Sequence, residues 1–234
     1  MYKEFKEMYT EGDYLAHNPD WGAEESPWKA EHILKMLKRH RLEPKTICEV
    51  GCGAGEILGQ LQRNLPGDCR FYGYDISPQA LELCQTRANE ALQFKLGNIL
   101  AETDLHFDLL LLIDLIEHLE DYYGFLRAIK PLSTYKIFHI PLDLSLQALL
   151  RVSPLLRQRR EVGHIHYFNK EIALLILRDT GYEILDCCYT PAPELPAKSW
   201  SSATAKFLRR IASTWHEDWA ARLLGGLPLL VLAK

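Results

Sequence analysis

Three glycines stand at every second position directly after an apolar run, in the stretch EVGCGAGE. They are Gly51, Gly53 and Gly55, and a helical pattern follows them. Glycine tolerates a positive φ, and it lets a ligand approach the backbone because no Cβ is in the way. The backbone N–H groups at the start of a helix also lack partners within that helix. We therefore predict that this turn lies against a bound nucleoside or a polar tail.

The residues around this turn narrow the kind of ligand. Glu56 directly follows the last glycine, where a carboxylate disfavours a pyrophosphate and suits a ligand with positive charge. GCGAGE also lacks the third glycine of the dinucleotide spacing, which argues against a nicotinamide-dependent oxidoreductase. Asp75 lies twenty residues beyond Gly55, at the end of the apolar run FYGYD. A carboxylate at that position accepts hydrogen bonds from ribose hydroxyls, so the two motifs together predict an adenosine ligand.

These motifs need a β-sheet to bring them together, and the rest of the chain has the sequence pattern of a β-sheet with crossover helices. Helical patterns alternate with short apolar runs, which is typical of strands joined by crossover helices. Ser26, Ser77 and Asn169 are the predicted N-caps of three of these helices. We expect a single domain over 1–234 with an N-terminal extension over 1–45. The predicted strands lie near 46–50, 70–74, 92–96, 107–113, 134–140, 183–190 and 227–233.

Two connections, 141–162 and 191–226, are longer than a connection needs to be. Long segments after strands in open sheets often build the binding site, so we interpret both as lid or substrate elements. Surface helices that only pack on the core are the alternative. The same two interpretations, a flap over the ligand or ordinary packing, apply to the aromatic residues of the N-terminal extension, Tyr9, Tyr14, Trp21 and Trp28.

The composition is that of an ordinary globular protein, with 47% hydrophobic and 25% charged residues. The net charge of −4 argues against nucleic-acid affinity from overall charge, although Arg157, Arg159 and Arg160 form a local basic cluster. No apolar run is long enough to span a membrane, and the first residues do not resemble a signal peptide. We therefore expect a cytoplasmic protein whose six cysteines are free thiols.

The motifs together resemble those of the class I S-adenosylmethionine-dependent methyltransferases, from about residue 47 to 189. EVGCGAGE is similar to that family's first motif, YGYDIS to its second, LGNI to its third, and FDLLLLIDLIEHLED to its fourth strand and the following turn. The resemblance implies an α/β fold, a Rossmann-like doubly wound sheet of seven strands that is mostly parallel with the last strand antiparallel. It also implies S-adenosyl-L-methionine as the cofactor and S-adenosyl-L-homocysteine as the product.

The resemblance further implies a cofactor site. The acid and the glycines of the first motif would hold the methionine end, whose ammonium group suits acidic surroundings. Asp75 would bind the ribose, and Ile76 would lie on the adenine. The side-chain carbonyl of Asn98 would accept from the adenine amino group, and Asp114 would close the pocket. In chain order, the implied cofactor residues are Glu49, Gly51, Gly53, Gly55, Asp75, Ile76, Asn98 and Asp114.

The acceptor is expected to be a small molecule. RNA or another macromolecule is the alternative, as is an inactive domain that only binds the cofactor. Transfer from a sulfonium needs mainly alignment and desolvation, so no catalytic residue is assigned. A base helps when the acceptor is a hydroxyl, and the available imidazoles are those of His118, His139, His164 and His166.

Acidic residues and histidines near the fourth strand raise the question of a metal. Asp114, Glu117 and His118 are spaced to share one helix face, and the segment GHIHYF adds His164 and His166. The set resembles the metal-binding residues of the bacterial RNA 3′-terminal 2′-O-methyltransferases, with Asp114 where that pattern has glutamate. These ligands would have to converge from separate loops, and the cofactor pocket also needs Asp114. We therefore expect no metal, and methyl transfer that is independent of added divalent cations.

Overall fold

The computed structural model describes residues 5–191 and 216–234. Its strands are β1 Thr46–Val50, β2 Arg70–Asp75, β3 Leu92–Leu96, β4 Phe107–Ile113, β5 Ser133–Ile140, β6 Ile184–Tyr189 and β7 Leu229–Ala233. They form one sheet in the order β3-β2-β1-β4-β5-β7-β6. The pairs among β1 to β5 are parallel, and β7 runs antiparallel to β5 and β6. The predicted Rossmann-like sheet with an antiparallel last strand is confirmed.

Helices cover both faces of this sheet. Leu109 and Leu111 of β4 face one side and Leu110 and Leu112 the other, because successive side chains of a strand alternate. The first side packs against α3 and α4, and the second packs against α6 and α9. The helices of the described residues are α1 Phe5–Thr10, α2 Asp13–His17, α3 Ser26–His40, α4 Glu56–Asn64, α5 Pro78–Cys84, α6 Tyr122–Ile129, α7 Leu146–Arg151, α8 Ser153–Glu161, α9 Lys170–Asp179 and α10 Glu217–Leu224.

Two of the three predicted N-caps form, and one is wrong. Ser77 and Asn169 accept backbone N–H groups three residues further on, at 3.3 and 2.8 Å. Ser26 is instead the first residue of α3, because a 3₁₀ turn at Ala23–Glu25 leads directly into the helix. The Ser26 hydroxyl therefore donates backward, to the carbonyl of Gly22 at 3.5 Å.

The two long connections differ in what the structure describes. Segment 141–162 contains α7 and α8. Segment 191–226 lies largely outside the described residues, and only its end, with α10, can be placed. The N-terminal extension contains α1, α2 and α3. None of the helices in the described part of the chain is long and apolar enough to cross a membrane.

The strand order also indicates where a ligand can bind. It reverses between β1 and β4, since the chain first builds β1 to β3 outward on one side and then continues with β4 and β5 on the other. In open α/β sheets, ligands bind at such a reversal, beyond the carboxyl ends of the strands. The turn with the three glycines and Asp75 both lie at this edge.

Candidate active site

A cavity of about 860 Å³ lies at the carboxyl ends of β1, β2 and β4. Its size is within the range of pockets that hold small ligands, roughly 300–1,000 Å³. Gly55 is the predicted cofactor residue that does not line the cavity. The other seven line it: Glu49, Gly51, Gly53, Asp75, Ile76, Asn98 and Asp114. Their roles toward a cofactor stay predictions.

Gly53 and Gly55 of the turn contact different neighbours, so a side chain is excluded at each position for a different reason. Gly53 and Gly55 both have positive φ, 53° and 73°. A Cβ on Gly53 would come within 2.5 Å of Cδ1 of Trp21, which itself lines the cavity. A Cβ on Gly55 would come within 2.5 Å of the ring of Phe94, away from the cavity. Gly53 therefore keeps space at the cavity wall, and Gly55 allows the start of α4 to pack on β3.

Glu49 is the acid that faces the cavity without a protein partner. It is only 2% exposed, and its Oε2 atom has no hydrogen-bond partner within the described ranges. Burial raises the pKa of this carboxyl well above its ordinary value. Because a buried polar atom without a partner is unfavourable, the site suits a ligand that brings a cationic donor. The ammonium of the methionine end of S-adenosylmethionine meets that requirement.

Glu56 does not offer an unpaired negative charge to a ligand, contrary to the prediction from the sequence. Its carboxylate accepts from Arg63 at 2.7 Å and from Arg87 at 2.5 Å. The negative charge is therefore balanced inside the protein. The prediction that Glu56 favours a positively charged ligand is therefore wrong, and Glu49 is the buried acid that could accept from such a ligand.

Asp75 is held at the end of β2 by the backbone. Its Oδ2 accepts from the N–H of Gly53 at 2.9 Å, and its Oδ1 accepts from the N–H of Ser77 at 2.8 Å. Burial raises the pKa of the carboxyl, and these N–H groups act in the opposite direction. Each carboxylate oxygen has a second lone pair, so Asp75 can still accept from the two hydroxyls of a ribose.

The adenine end of the predicted site has an apolar and a polar residue. Ile76 is 38% exposed and lines the cavity, so its side chain offers an apolar surface to a flat ring. The side-chain carbonyl of Asn98 accepts from the N–H of Leu100 at 3.0 Å. It thereby caps a short turn, and one lone pair is left for a ligand.

Asp114, directly after β4, lines the cavity and forms two ion pairs. Its carboxylate lies 2.7 Å from Nζ of Lys29 and 2.5 Å from Nδ1 of His139. The other ring nitrogen of His139 lies 2.9 Å from the hydroxyl of Thr190. Burial alone would raise the pKa of Asp114, but Lys29 and His139 hold it well below its ordinary value. Asp114 therefore connects α3 to the ends of β4 and β5.

Aromatic residues of the N-terminal extension form another part of the cavity lining. The rings of Tyr9 and Tyr14 are 5.2 Å apart, and those of Tyr14 and Trp21 are 4.7 Å apart. The Tyr9 hydroxyl reaches Nδ1 of His118 at 2.8 Å. This aromatic row runs from the glycine turn to the segment after β4, which supports the interpretation of these residues as a flap.

The structure brings together three of the five residues considered for a metal site. Ligand atoms of Glu117, His118 and His164 all lie within 4.8 Å of one another. Asp114 belongs to the ion pairs with Lys29 and His139, and His166 contacts Tyr122 and Phe168. Burial raises the pKa of Glu117 and lowers that of His118 to about 4. Three of the five candidate ligands therefore lie close together, whereas the expectation of no metal stays a prediction.

Some partners of the cavity residues could not be found from the sequence. Lys29 lies on α3, far in sequence from its partner Asp114, and Asp143 orients His164 from a loop after β5. Neither residue belongs to a motif. Only the three-dimensional structure pairs them, because the contacts cross separate elements.

The comparisons with known proteins agree with this geometry. A family model described as "Methyltransferase domain" matches residues 25–186, well over half of the chain. No curated protein matches the sequence significantly. The fold is similar to that of magnesium protoporphyrin IX methyltransferase (ChlM) from Synechocystis PCC 6803 with bound S-adenosylhomocysteine. The two are 17% identical, with a TM-score of 0.59 over 88% of this chain and 82% of that one.

Two further structures have the same fold. The plantazolicin methyltransferase BpumL, in complex with S-adenosylhomocysteine, is 15% identical, with a TM-score of 0.64 over 98% of this chain and 93% of that one. The methyltransferase domain of bacterial CtHen1-C is 16% identical, with a TM-score of 0.57 over 89% and 97%. The family match confirms the resemblance drawn from the motifs, together with the enzyme class and the cofactor that it implied. By its family match, its strand order and the cavity at the reversal of its sheet, the chain belongs to the class I S-adenosylmethionine-dependent methyltransferases.

Proposed function

We propose that this methyltransferase acts on a small-molecule acceptor that shares the cavity with S-adenosylmethionine. The observation that carries the proposal is the shape of the lining. The predicted cofactor residues occupy the side near β1, β2 and β4, and Tyr9, Tyr14 and Gln158 line the rest from α1, α2 and α8. An acceptor site with such walls suits a compact molecule better than a polymer.

The cofactor assignments of the sequence are part of this proposal. Glu49 accepts from the ammonium of the methionine end, for which it has a buried oxygen without a hydrogen-bond partner in residues 5–191 and 216–234. Asp75 accepts from the ribose hydroxyls, held in place by two backbone N–H groups. Ile76 and Asn98 contact the adenine. Asp114 acts through Lys29 and His139, whose ion pairs hold the cavity wall after β4 in place.

Methyl transfer requires little more than placement from this chain. S-adenosylmethionine supplies a methyl group on a sulfonium, which is a good leaving group. The residues of the cavity hold the acceptor in line with that group and exclude water, and both effects lower the barrier. The aromatic row of Tyr9, Tyr14 and Trp21 is placed to exclude water.

Calorimetry followed by turnover tests the proposal. Titration of the protein with S-adenosylmethionine, S-adenosylhomocysteine and NAD is expected to give heat with the first two only. A panel of small hydroxylated and amine compounds is then compared with short RNAs, with formation of S-adenosylhomocysteine as the readout. Turnover with RNA and with no small compound would replace the proposed acceptor class. Binding without any turnover would favour a domain that only binds the cofactor.

A further inference from the structure

A group of polar side chains at the cavity has no part in the cofactor assignment. The Oε1 atom of Glu117 lies 3.8 Å from Nε2 of His118 and 3.9 Å from Nε2 of His164. Both distances are too long for hydrogen bonds. The carboxylate and the two imidazoles therefore face one another across a gap, and none of them satisfies another.

Hydrogen bonds on the far side of each imidazole fix which nitrogen carries the proton. Nδ1 of His118 lies 3.1 Å from the carbonyl oxygen of Gly163. Nδ1 of His164 lies 2.6 Å from the carboxylate of Asp143. A carbonyl and a carboxylate can only accept, so both Nδ1 atoms donate. In the neutral rings each Nε2 then presents a lone pair to the gap.

The hydrogen bonds of Tyr9 are consistent with a proton on Nδ1 of His118. Its hydroxyl donates to the carbonyl of Val162 at 3.2 Å. Its oxygen is then an acceptor for the Nδ1–H of His118, 2.8 Å away. The ring of His118 is thus held from two sides, with Nε2 directed toward Glu117.

Glu117 completes a set of three electron-pair donors. It is fully buried, at 0% exposure, and neither of its carboxylate oxygens has a hydrogen-bond partner among the described residues. Three buried ligand atoms that face one another without a hydrogen bond between them are unfavourable unless a cation lies at their centre. Metal–ligand bonds of about 2.0–2.2 Å place neighbouring ligand atoms roughly 3–4 Å apart. The distances of 3.8 and 3.9 Å from Oε1 of Glu117 are of that size, and all three ligand atoms lie within 4.8 Å of one another.

We infer that Glu117, His118 and His164 bind one divalent transition-metal cation at the wall of the cofactor cavity. Two imidazoles and one carboxylate suit Zn²⁺, Mn²⁺, Fe²⁺ or Co²⁺. The carbonyl of Gly163 orients the ring of His118, and the carboxylate of Asp143 orients the ring of His164, because each accepts from the Nδ1 atom that faces away from the cation. Asp114 has no part in this site, so the competition for Asp114 on which the metal-free expectation rested does not arise.

Three protein ligands leave coordination positions open. His118 and His164 line the cavity, so the open positions face the space assigned to the acceptor. This extension rests on the proposed function: the acceptor is a molecule with a hydroxyl group, whose oxygen binds the cation. In the transfer, that oxygen bonds to the methyl carbon, the carbon–sulfur bond breaks with its electron pair left on sulfur, and the hydroxyl proton passes to water.

Metal binding without cofactor or acceptor tests the inference directly. The whole chain is treated with a chelator, dialysed, and titrated with Co²⁺ in an absorption experiment and with Mn²⁺ by calorimetry. We expect one equivalent of each to bind, and the Co²⁺ spectrum to lack the intense bands of thiolate ligands, since no cysteine belongs to the site. The absence of stoichiometric binding of both ions would overturn the inference.

Variants identify the site. Glu117→Gln and His164→Ala are expected to abolish binding of the Co²⁺ or Mn²⁺ ion. Asp143→Asn is expected to weaken it by about 10- to 100-fold, since groups behind metal ligands typically have effects of that size. His106→Ala is the matched control, because this exposed histidine bonds to the carbonyl of Pro131 and the hydroxyl of Thr134 outside the cavity.

S-adenosylhomocysteine affinity is measured for each variant, which shows that it is folded and keeps the test separate from the proposed function. Retained Co²⁺ binding by a folded Glu117→Gln and a folded His164→Ala would contradict the site. If one of these two does not fold, the folded Asp143→Asn decides, and unchanged Co²⁺ affinity there would contradict the site. Failure of the wild-type chain to bind S-adenosylhomocysteine, with metal binding intact, would count against the proposed function alone.

Discussion

Glu49 is a buried acid whose oxygen, unpartnered within the described part of the chain, lowers the stability of the ligand-free fold, and we propose that the cofactor supplies the missing partner. Its pKa is raised above 4.5 in the folded protein, so the folded state holds a proton that the unfolded chain releases near that value. Stability therefore falls as the pH rises from the unfolded toward the folded pKa. A buried oxygen without a partner typically costs about 1–3 kcal/mol.

Glu49→Gln is therefore expected to raise the free energy of unfolding of the ligand-free protein at pH 7, because the amide stays neutral and does not have to hold a proton in the folded state. The same substitution weakens binding of S-adenosylmethionine, because the ammonium loses its carboxylate. Denaturant unfolding at pH 5 and pH 8 and calorimetry with the cofactor measure the two effects. A variant that is less stable than the wild type at both pH values would show that Glu49 is satisfied in the folded chain.

Asp75→Ala is expected to lower cofactor affinity about 10- to 100-fold, through loss of charge-assisted hydrogen bonds worth roughly 1.5–3 kcal/mol. It should also cost stability, since the N–H groups of Gly53 and Ser77 lose their acceptor. Asp108→Ala is the control, because Asp108 also accepts from two backbone N–H groups, of Lys45 and Thr46, but outside the cavity. Equal affinity losses in the two variants would show that Asp75 only supports the backbone.

At the scale of elements, the glycine turn packs against two different parts of the molecule. Gly53→Val is expected to abolish cofactor binding, because its side chain would meet the indole of Trp21 where the cavity begins. Gly55→Ala is the matched control: it strains a positive φ and presses on Phe94, so it should lower stability more than affinity. Calorimetry and thermal unfolding of both variants measure the difference. Cofactor binding by a folded Gly53→Val would show that the ligand does not approach this turn.

The strands were predictable because each is a short apolar run bounded by polar or turn residues. Predicted and observed limits coincide for β1, β3 and β4. The helix start at Ser26 was missed by one residue, since a 3₁₀ turn before a helix leaves little sequence signal. The cap residues Ser77 and Asn169 could be read because capping is a local interaction.

The wall of the cavity was less predictable because its interactions are not local. The spacing of Asp114, Glu117 and His118 indicated one shared face, yet the structure separates Asp114 from the other two. Lys29 draws Asp114 toward α3, and nothing near Lys29 in sequence indicates that contact. Likewise, Glu56 forms ion pairs with Arg63 and Arg87. Its negative charge is therefore balanced within the protein, which the sequence did not indicate.

At the scale of the whole molecule, cofactor binding should appear as thermal stabilisation. S-adenosylhomocysteine at 100 times its dissociation constant adds about 2.7 kcal/mol to the stability of the folded state. For a chain of this length that corresponds to a rise in Tm of roughly 5–10 °C. NAD at equal concentration should leave the Tm unchanged, and scanning fluorimetry compares the two. A larger shift with NAD would contradict the assignment of the cavity.

The aromatic row lies outside the part of the chain that matches the methyltransferase family, since that match begins at residue 25. Glu49, Asp75 and the glycine turn lie inside it, so the shared domain supplies the proposed contacts to the methyl donor. Tyr9, Tyr14 and Trp21 precede it and line the remaining space. In evolutionary terms, one part of the cavity wall therefore lies in sequence that can vary without any change in the shared domain. Exchange of these first residues would alter the wall formed by Tyr9, Tyr14 and Trp21, whereas Gln158, His118 and His164 would keep their places in the cavity.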